Sequence, residues 1–216
     1  MLPVPYLDEK LIFPPVDQAL ENGLLAVGGD LSVERLLLAY KSGIFPWFEE
    51  GESILWWSPN PRFILFPDEL KVSKSMQQLL HKQAFRVTYN TDFKTVIENC
   101  ASVKRTGQRG TWITKEMIEA YTKLHEIGYA TSVEVWQQDK LVGGFYGVDL
   151  HQGVFCGESM FTLVPNASKY AFITFVKNSN YRLIDCQLYT KHLASFGAKL
   201  MERADFLTFL DASKNQ

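Results

Sequence analysis

Eight of the nine prolines fall within the first 67 residues of this chain. Proline fixes φ and removes a backbone donor. A segment punctuated at Pro3, Pro5, Pro14, Pro15, Pro46, Pro59, Pro61 and Pro67 therefore has little room for long regular elements. One helix is still expected there, over about residues 32–42. Ser32 can cap it, Val33, Leu36, Leu37 and Tyr40 share a face, and Gly43 ends it. The proline density then drops, which places a boundary between a small Pro- and aromatic-rich subdomain (1–62) and a larger one (63–216).

The larger part alternates elements. SKSMQQLLHK reads as a short helix capped by Ser73. TDFKTVIENC reads as one capped by Thr91, with Phe93, Val96, Ile97 and Cys100 along one stripe. A third runs from a Thr114 cap to Gly128. A hairpin turning near Gln138–Lys140 follows, then a strand over GVFCGESMF, a helix opened near Asn166, a strand over RLIDCQLY, and two short helices. A meander followed by strand, helix and strand gives an α+β layer fold. The order resembles the acetyltransferase-like fold of the GNAT superfamily, in which the acyl donor sits where two central parallel strands splay apart. Here those strands would be Val154–Met160 and Arg182–Leu188.

With 46% hydrophobic and 21% charged residues, the chain is no disordered protein. No segment approaches the length of a membrane span, and MLPVPYLDEK has neither the basic start nor the apolar run of a signal peptide. Cys100, Cys156 and Cys186 are odd in number and contain no C-x-x-C pair. His81, His125, His151 and His192 are scattered, so neither a disulfide framework nor a zinc site is expected. A protein of a reducing cytoplasm without a metal site is the expectation. The net charge of −2 argues against a general nucleic-acid binder, but bases outnumber acids eleven to six between residues 61 and 125. Such a local excess fits phosphate contact or a merely solvated face.

Seven strings are more specific: GLLAVGGDLSVERLLLAYKSGIFPWF, ILWWSPNPR, GTWIT, LVGGFYGV, FCGESMF, NASK and LIDCQ. In this order and over nearly the whole chain they resemble the leucyl/phenylalanyl-tRNA–protein transferase family. The resemblance implies an aminoacyltransferase. It would move Leu or Phe, with Met a third candidate, from aminoacyl-tRNA to proteins or peptides that begin with Arg or Lys, marking them for N-end rule degradation. It implies no cofactor, no membrane and a monomer.

The chemistry suits what the residues offer. An ester donor is already activated, and an α-amine with an ordinary pKa of about 7.7–8.0 is partly neutral near pH 7. Orientation and oxyanion support then matter more than a strong base. Asp185 and Gln187 lie two apart on an expected strand, facing one side, with Cys186 on the other. The resemblance makes them the acceptor-binding and catalytic pair; an edge-strand charge and a solvated amide are the plain alternative. Glu158 lies in an apolar stretch, where a carboxylate needs a partner; the resemblance implies that it supports the amino acid's amine or the acceptor, and a structural ion pair is the plain alternative. The resemblance also assigns the donor side-chain pocket to Trp47, Trp112, Phe155 and Phe175, with Tyr40 and Tyr121 lining or bracing it. Such a pocket would favour unbranched Leu and Phe over stiff β-branched residues. Trp56, Trp57, Tyr89 and Phe93 are left to the core. The tRNA phosphates would meet Lys71, Lys74, Lys82, Arg86, Lys104, Arg105 and Arg109. Thr190 departs from the family, where an asparagine is usual. Two rivals stay open at this point: an acetyl-CoA-dependent acetyltransferase, although no glycine-rich pyrophosphate turn is found, and a non-catalytic tRNA-binding module.

Overall fold

The computed structural model describes residues 4–103 and 111–212. The proline-rich part forms a small sheet of short strands. They are β1 (Tyr6–Leu7), β2 (Leu24–Gly28), β3 (Phe45–Pro46) and β4 (Leu55–Trp57), in the order β1-β2-β4-β3. The helix α1 (Val33–Lys41) begins where the Ser32 hydroxyl accepts the Arg35 N–H.

A seven-stranded sheet carries the rest, ordered β11-β5-β10-β9-β8-β7-β6. Its members are β5 (Arg62–Leu65), β6 (Arg86–Tyr89), β7 (Ala130–Gln137), β8 (Lys140–Asp149), β9 (Val154–Thr162), β10 (Leu183–Gln187) and β11 (Lys199–Met201). The helices are α2 (Lys74–His81), α3 (Phe93–Ser102), α4 (Lys115–Glu126), α5 (Ala167–Asn178), α6 (Lys191–Ala194) and α7 (Arg203–Ala212). Helices α3 and α4 cover one face and α5 the other. Two apolar clusters result. One, around Trp56, Tyr121 and Tyr146, joins the small sheet to the α3–α4 side. The other, around Phe145, Phe155 and Phe172, lies under α5. The architecture is thus mixed α+β with two sheets.

The hairpin turns after Gln137 as the sequence implies, and β9 and β10 pair in parallel, Leu183 opposite Val154 and Asp185 opposite Cys156. Two expectations are corrected. Helix α3 is capped by Asp92, whose carboxylate accepts the Thr95 N–H, because Asp92 and not Thr91 is the last residue before the helical turn. The C-terminal stretch is not two helices alone: β11 intervenes and pairs antiparallel with β5. Strand β5 inserts between β10 and β11 and puts β10 in the sheet interior.

Candidate active site

Beyond Asp185 the pairing of β9 and β10 stops, and the two strands part. A cavity of about 340 Å³ fills the opening, within the usual range for small-ligand sites. Phe145, Phe155, Met160, Phe172, Ile184 and Leu193 give it an apolar wall, Trp47 stands at its edge, and Glu158, Asp185 and Gln187 give it polar groups.

Glu158 collects three donors. Its Oε1 accepts the Tyr40 hydroxyl at 2.7 Å and the Gln187 carboxamide at 2.7 Å, and Oε2 accepts the Tyr121 hydroxyl at 3.3 Å. Tyr40 comes from the last turn of α1, and Tyr121 from α4, where the Thr114 hydroxyl caps the helix by accepting the Met117 N–H. The two phenols also touch each other. Burial pushes the Glu158 carboxyl up to about 7, working against the hydrogen bonds that favour its anion. The phenols are themselves held well above their ordinary value, first by burial and then by the Glu158 charge, so they remain protonated donors.

Asp185 is 1% exposed and is no edge-strand charge. Its Oδ1 and Oδ2 accept Nε and Nη2 of Arg62 at 2.8 and 2.7 Å, and Oδ1 also accepts the Gln187 backbone N–H at 2.9 Å. Arg62 is kept charged: burial disfavours the cation, but the adjoining carboxylate outweighs it and raises the guanidinium above its usual value.

The strand alternation that pairs Asp185 with Gln187 in the sequence does not survive. The register shifts between them, and Gln187 adopts φ 62°. Both still reach the cavity, but so does Cys186, expected on the opposite side. Asp185, Gln187, Glu158, Trp47 and Phe155 therefore converge on one cavity, with Tyr40 and Tyr121 bracing Glu158. Phe175 stands behind Phe155 at 4.6 Å and opens toward another depression. Trp112 is partly buried against the larger core and does not line the cavity. Lys71, Lys74, Lys82 and Arg86 are exposed on and around α2 and β6; Lys104, Arg105 and Arg109 lie outside the described residues.

Sequence reasoning missed Arg62. The signal was present, because a lone arginine opens the apolar run RFILF and such a charge needs a buried partner. It also gave no role to His192, which lines the cavity together with Thr190 at the start of α6. Burial, then Lys169, holds His192 below its ordinary value, and its Nε2 has no hydrogen-bond partner among the described residues. Among those residues, no three His, Cys, Asp or Glu side chains converge as metal ligands do, and no helix is long and apolar enough to cross a membrane.

Comparison with known proteins agrees with the strings read above. A family model described as leucyl/phenylalanyl-tRNA protein transferase matches residues 64–211, and one for that family's N-terminal domain matches residues 29–60. A leucyl/phenylalanyl-tRNA–protein transferase of Flavobacterium johnsoniae is 60% identical over 208 residues, covering 95% of this chain and 98% of the relative. Those of Flavobacterium psychrophilum and Syntrophus aciditrophicus are 58% and 54% identical, covering 95% and 98% of this chain and 98% and 90% of the relatives.

Proposed function

The chain belongs to the leucyl/phenylalanyl-tRNA–protein transferase family, and on that premise we propose that it transfers Leu or Phe, with Met a third donor, from aminoacyl-tRNA to the α-amine of an acceptor that begins with Arg or Lys. It acts as a monomer in the cytoplasm, and its products enter N-end rule degradation. The observation that carries the reading is an apolar cavity ending at a carboxylate that pairs with no cation among the described residues. The hydrogen-bond donors to Glu158 are all neutral, whereas the charge of Asp185 is met by Arg62.

The parting of β9 and β10 supports an acetyltransferase-like fold for residues 63–216, with residues 1–62 adding Tyr40, Trp47 and Arg62 to the site. The donor side chain enters the wall formed by Phe155, Met160 and Phe172; Phe175 stiffens that wall from behind, and Trp47 covers its mouth. Trp112 packs against the larger core, outside the cavity. Apolar walls cannot strongly grade Leu against Phe, but they reject charged side chains. The 3′-terminal ribose ester then lies near Gln187 and Glu158. Glu158, once ionised, attracts the acceptor's cationic groups, and Gln187 directs the amine to the ester carbon. The C–N bond forms, the ester C–O bond breaks, and the proton lost by the amine ends on the leaving ribose oxygen. Asp185 is an anchor here and not a base, because its oxygens are already engaged. The acetyltransferase rival loses its ground, since the relatives are aminoacyl transferases by name and NASK holds no glycine turn.

Single-turnover transfer of labelled Phe from Phe-tRNA tests this, using peptides identical except at residue one. Transfer is expected to Arg- and Lys-starting peptides and not to Asp-starting or N-acetylated ones. Equal transfer to the Asp-starting peptide, or tRNA binding without transfer, would overturn it.

A further inference from the structure

Arg62 has features that packing alone does not explain. It is 1% exposed, as is its partner. Both oxygens of Asp185 meet its fork, and its Nη1 donates to the Gly43 carbonyl at 3.2 Å. The rings of Phe45 and Phe206 cover the guanidinium at 4.7 and 5.0 Å. Three parts of the molecule thus hold one cation: the turn after α1, the strand β3 and the helix α7. A buried ion pair is no better for stability than well-packed apolar residues of the same size, so retaining one invites a second role.

The role is legible in what Asp185 does next. Its Oδ1, already bonded to Arg62, also accepts the Gln187 N–H. Gln187 sits at φ 62°, a region that side-chain-bearing residues seldom occupy without local hydrogen bonding. In that conformation its carboxamide crosses from β10 to Glu158 on β9. A continuous line of hydrogen bonds therefore runs from Arg62 through Asp185 and Gln187 to Glu158.

We propose that Arg62 is a positioning residue for aminoacyl transfer: by clamping Asp185 it holds Gln187 in the left-handed turn that lays its carboxamide against Glu158. The inference rests on the transferase reading above. Arg62 does not line the cavity, so it acts on the rate of the step and not on donor choice or tRNA affinity. Lysine cannot replace it, because an ammonium is a point charge without the planar fork that engages both oxygens and fixes the carboxylate plane.

A double-mutant cycle tests it, with single-turnover Phe transfer to an Arg-starting peptide as the readout. Arg62→Lys should slow transfer by about tenfold or more in the wild-type background but by less than about twofold in Gln187→Ala, as expected for groups acting in series. Peptide KM and tRNA affinity should both stay within about twofold of wild type, since neither contact involves Arg62. A merely structural role would impose the same factor in both backgrounds, and that result, or a wild-type rate for Arg62→Lys, overturns the assignment. If Arg62→Lys melts below the assay temperature, the pair Arg62→Met/Asp185→Asn leaves no unpaired buried charge and enters the same cycle with the same criteria. Wild-type protein that binds Phe-tRNA and transfers nothing would instead remove the transferase reading. A normal wild type with an additive cycle removes only the assignment of Arg62.

Discussion

Glu158 should give the site a pH dependence. Its carboxyl is pushed up to about 7 by burial, against an ordinary value of 4.5. Between those values the native state holds a proton that the unfolded chain has released, so this group's contribution to stability falls as pH rises through that window. Glu158→Gln should therefore melt close to wild type near about pH 5 and above it near about pH 8. Its transfer should be slow throughout and lack the rise near neutrality, leaving only the amine's own ionisation. A melting difference independent of pH would show that the carboxyl titrates normally. Asp185 behaves differently because its partner is a fixed cation. Asp185→Ala leaves Arg62 buried without its counter-charge and should cost ~3–5 kcal/mol in urea unfolding together with nearly all transfer. Asp185→Asn keeps an oxygen for the Gln187 N–H and should retain more of both, though well below wild type, since charge-assisted bonds are roughly twice as strong as neutral ones. Equal losses in the two variants would mean that the backbone hydrogen bond from Gln187 carries no weight.

At the scale of elements, the site depends on how closely β8 approaches β9. A Cβ at Gly147 would overlap the Cys156 carbonyl oxygen and the Phe155 ring. Gly147→Ala should cost about 1–3 kcal/mol by overpacking. Because Phe155 lines the cavity, the displaced ring should reduce transfer of Phe more than transfer of Leu. Urea unfolding and parallel Phe and Leu assays read the two effects, and an unchanged Phe-to-Leu ratio would place the ring's movement away from the donor. The elements most legible in the sequence are those with local signals. Ser32, Ser73 and Thr114 each accept the N–H three residues on, as their spacing implies. Strand β11 escaped because its three residues gain their hydrogen bonds from β5, more than 130 positions earlier, and no local period records such a partner. The end of β10 escaped for a related reason. Alternation holds only while pairing continues, and the shift at Gln187 comes from the neighbouring strand and from Asp185.

The whole molecule is mildly acidic, with a net charge of −2, yet must hold a polyanion to do what its family does. Lys71, Lys74, Lys82 and Arg86 are exposed in the region where bases are in excess. Neutralising Lys74, Lys82 and Arg86 together should flatten the plot of log tRNA affinity against log salt, by roughly 0.7–0.9 for each phosphate that the variant no longer neutralises. Transfer at saturating tRNA should be preserved, and an unchanged slope would locate the phosphate grip on another surface. The sequence alone determined the family and picked out the strands that pair as β9–β10, with Glu158, Asp185 and Gln187 as candidate site residues. All of these are local: motif strings, caps, punctuation and apolar runs. Tertiary structure alone decided which carboxylate stays open. Asp185 and Glu158 look alike in sequence, each a lone acid in an apolar strand. Asp185 is met by an arginine 123 residues away that no spacing links to it, while Glu158 meets two phenols and an amide. A buried charge takes its character from the charges and dipoles within a few ångströms, and the fold, not the neighbouring residues in the chain, chooses those.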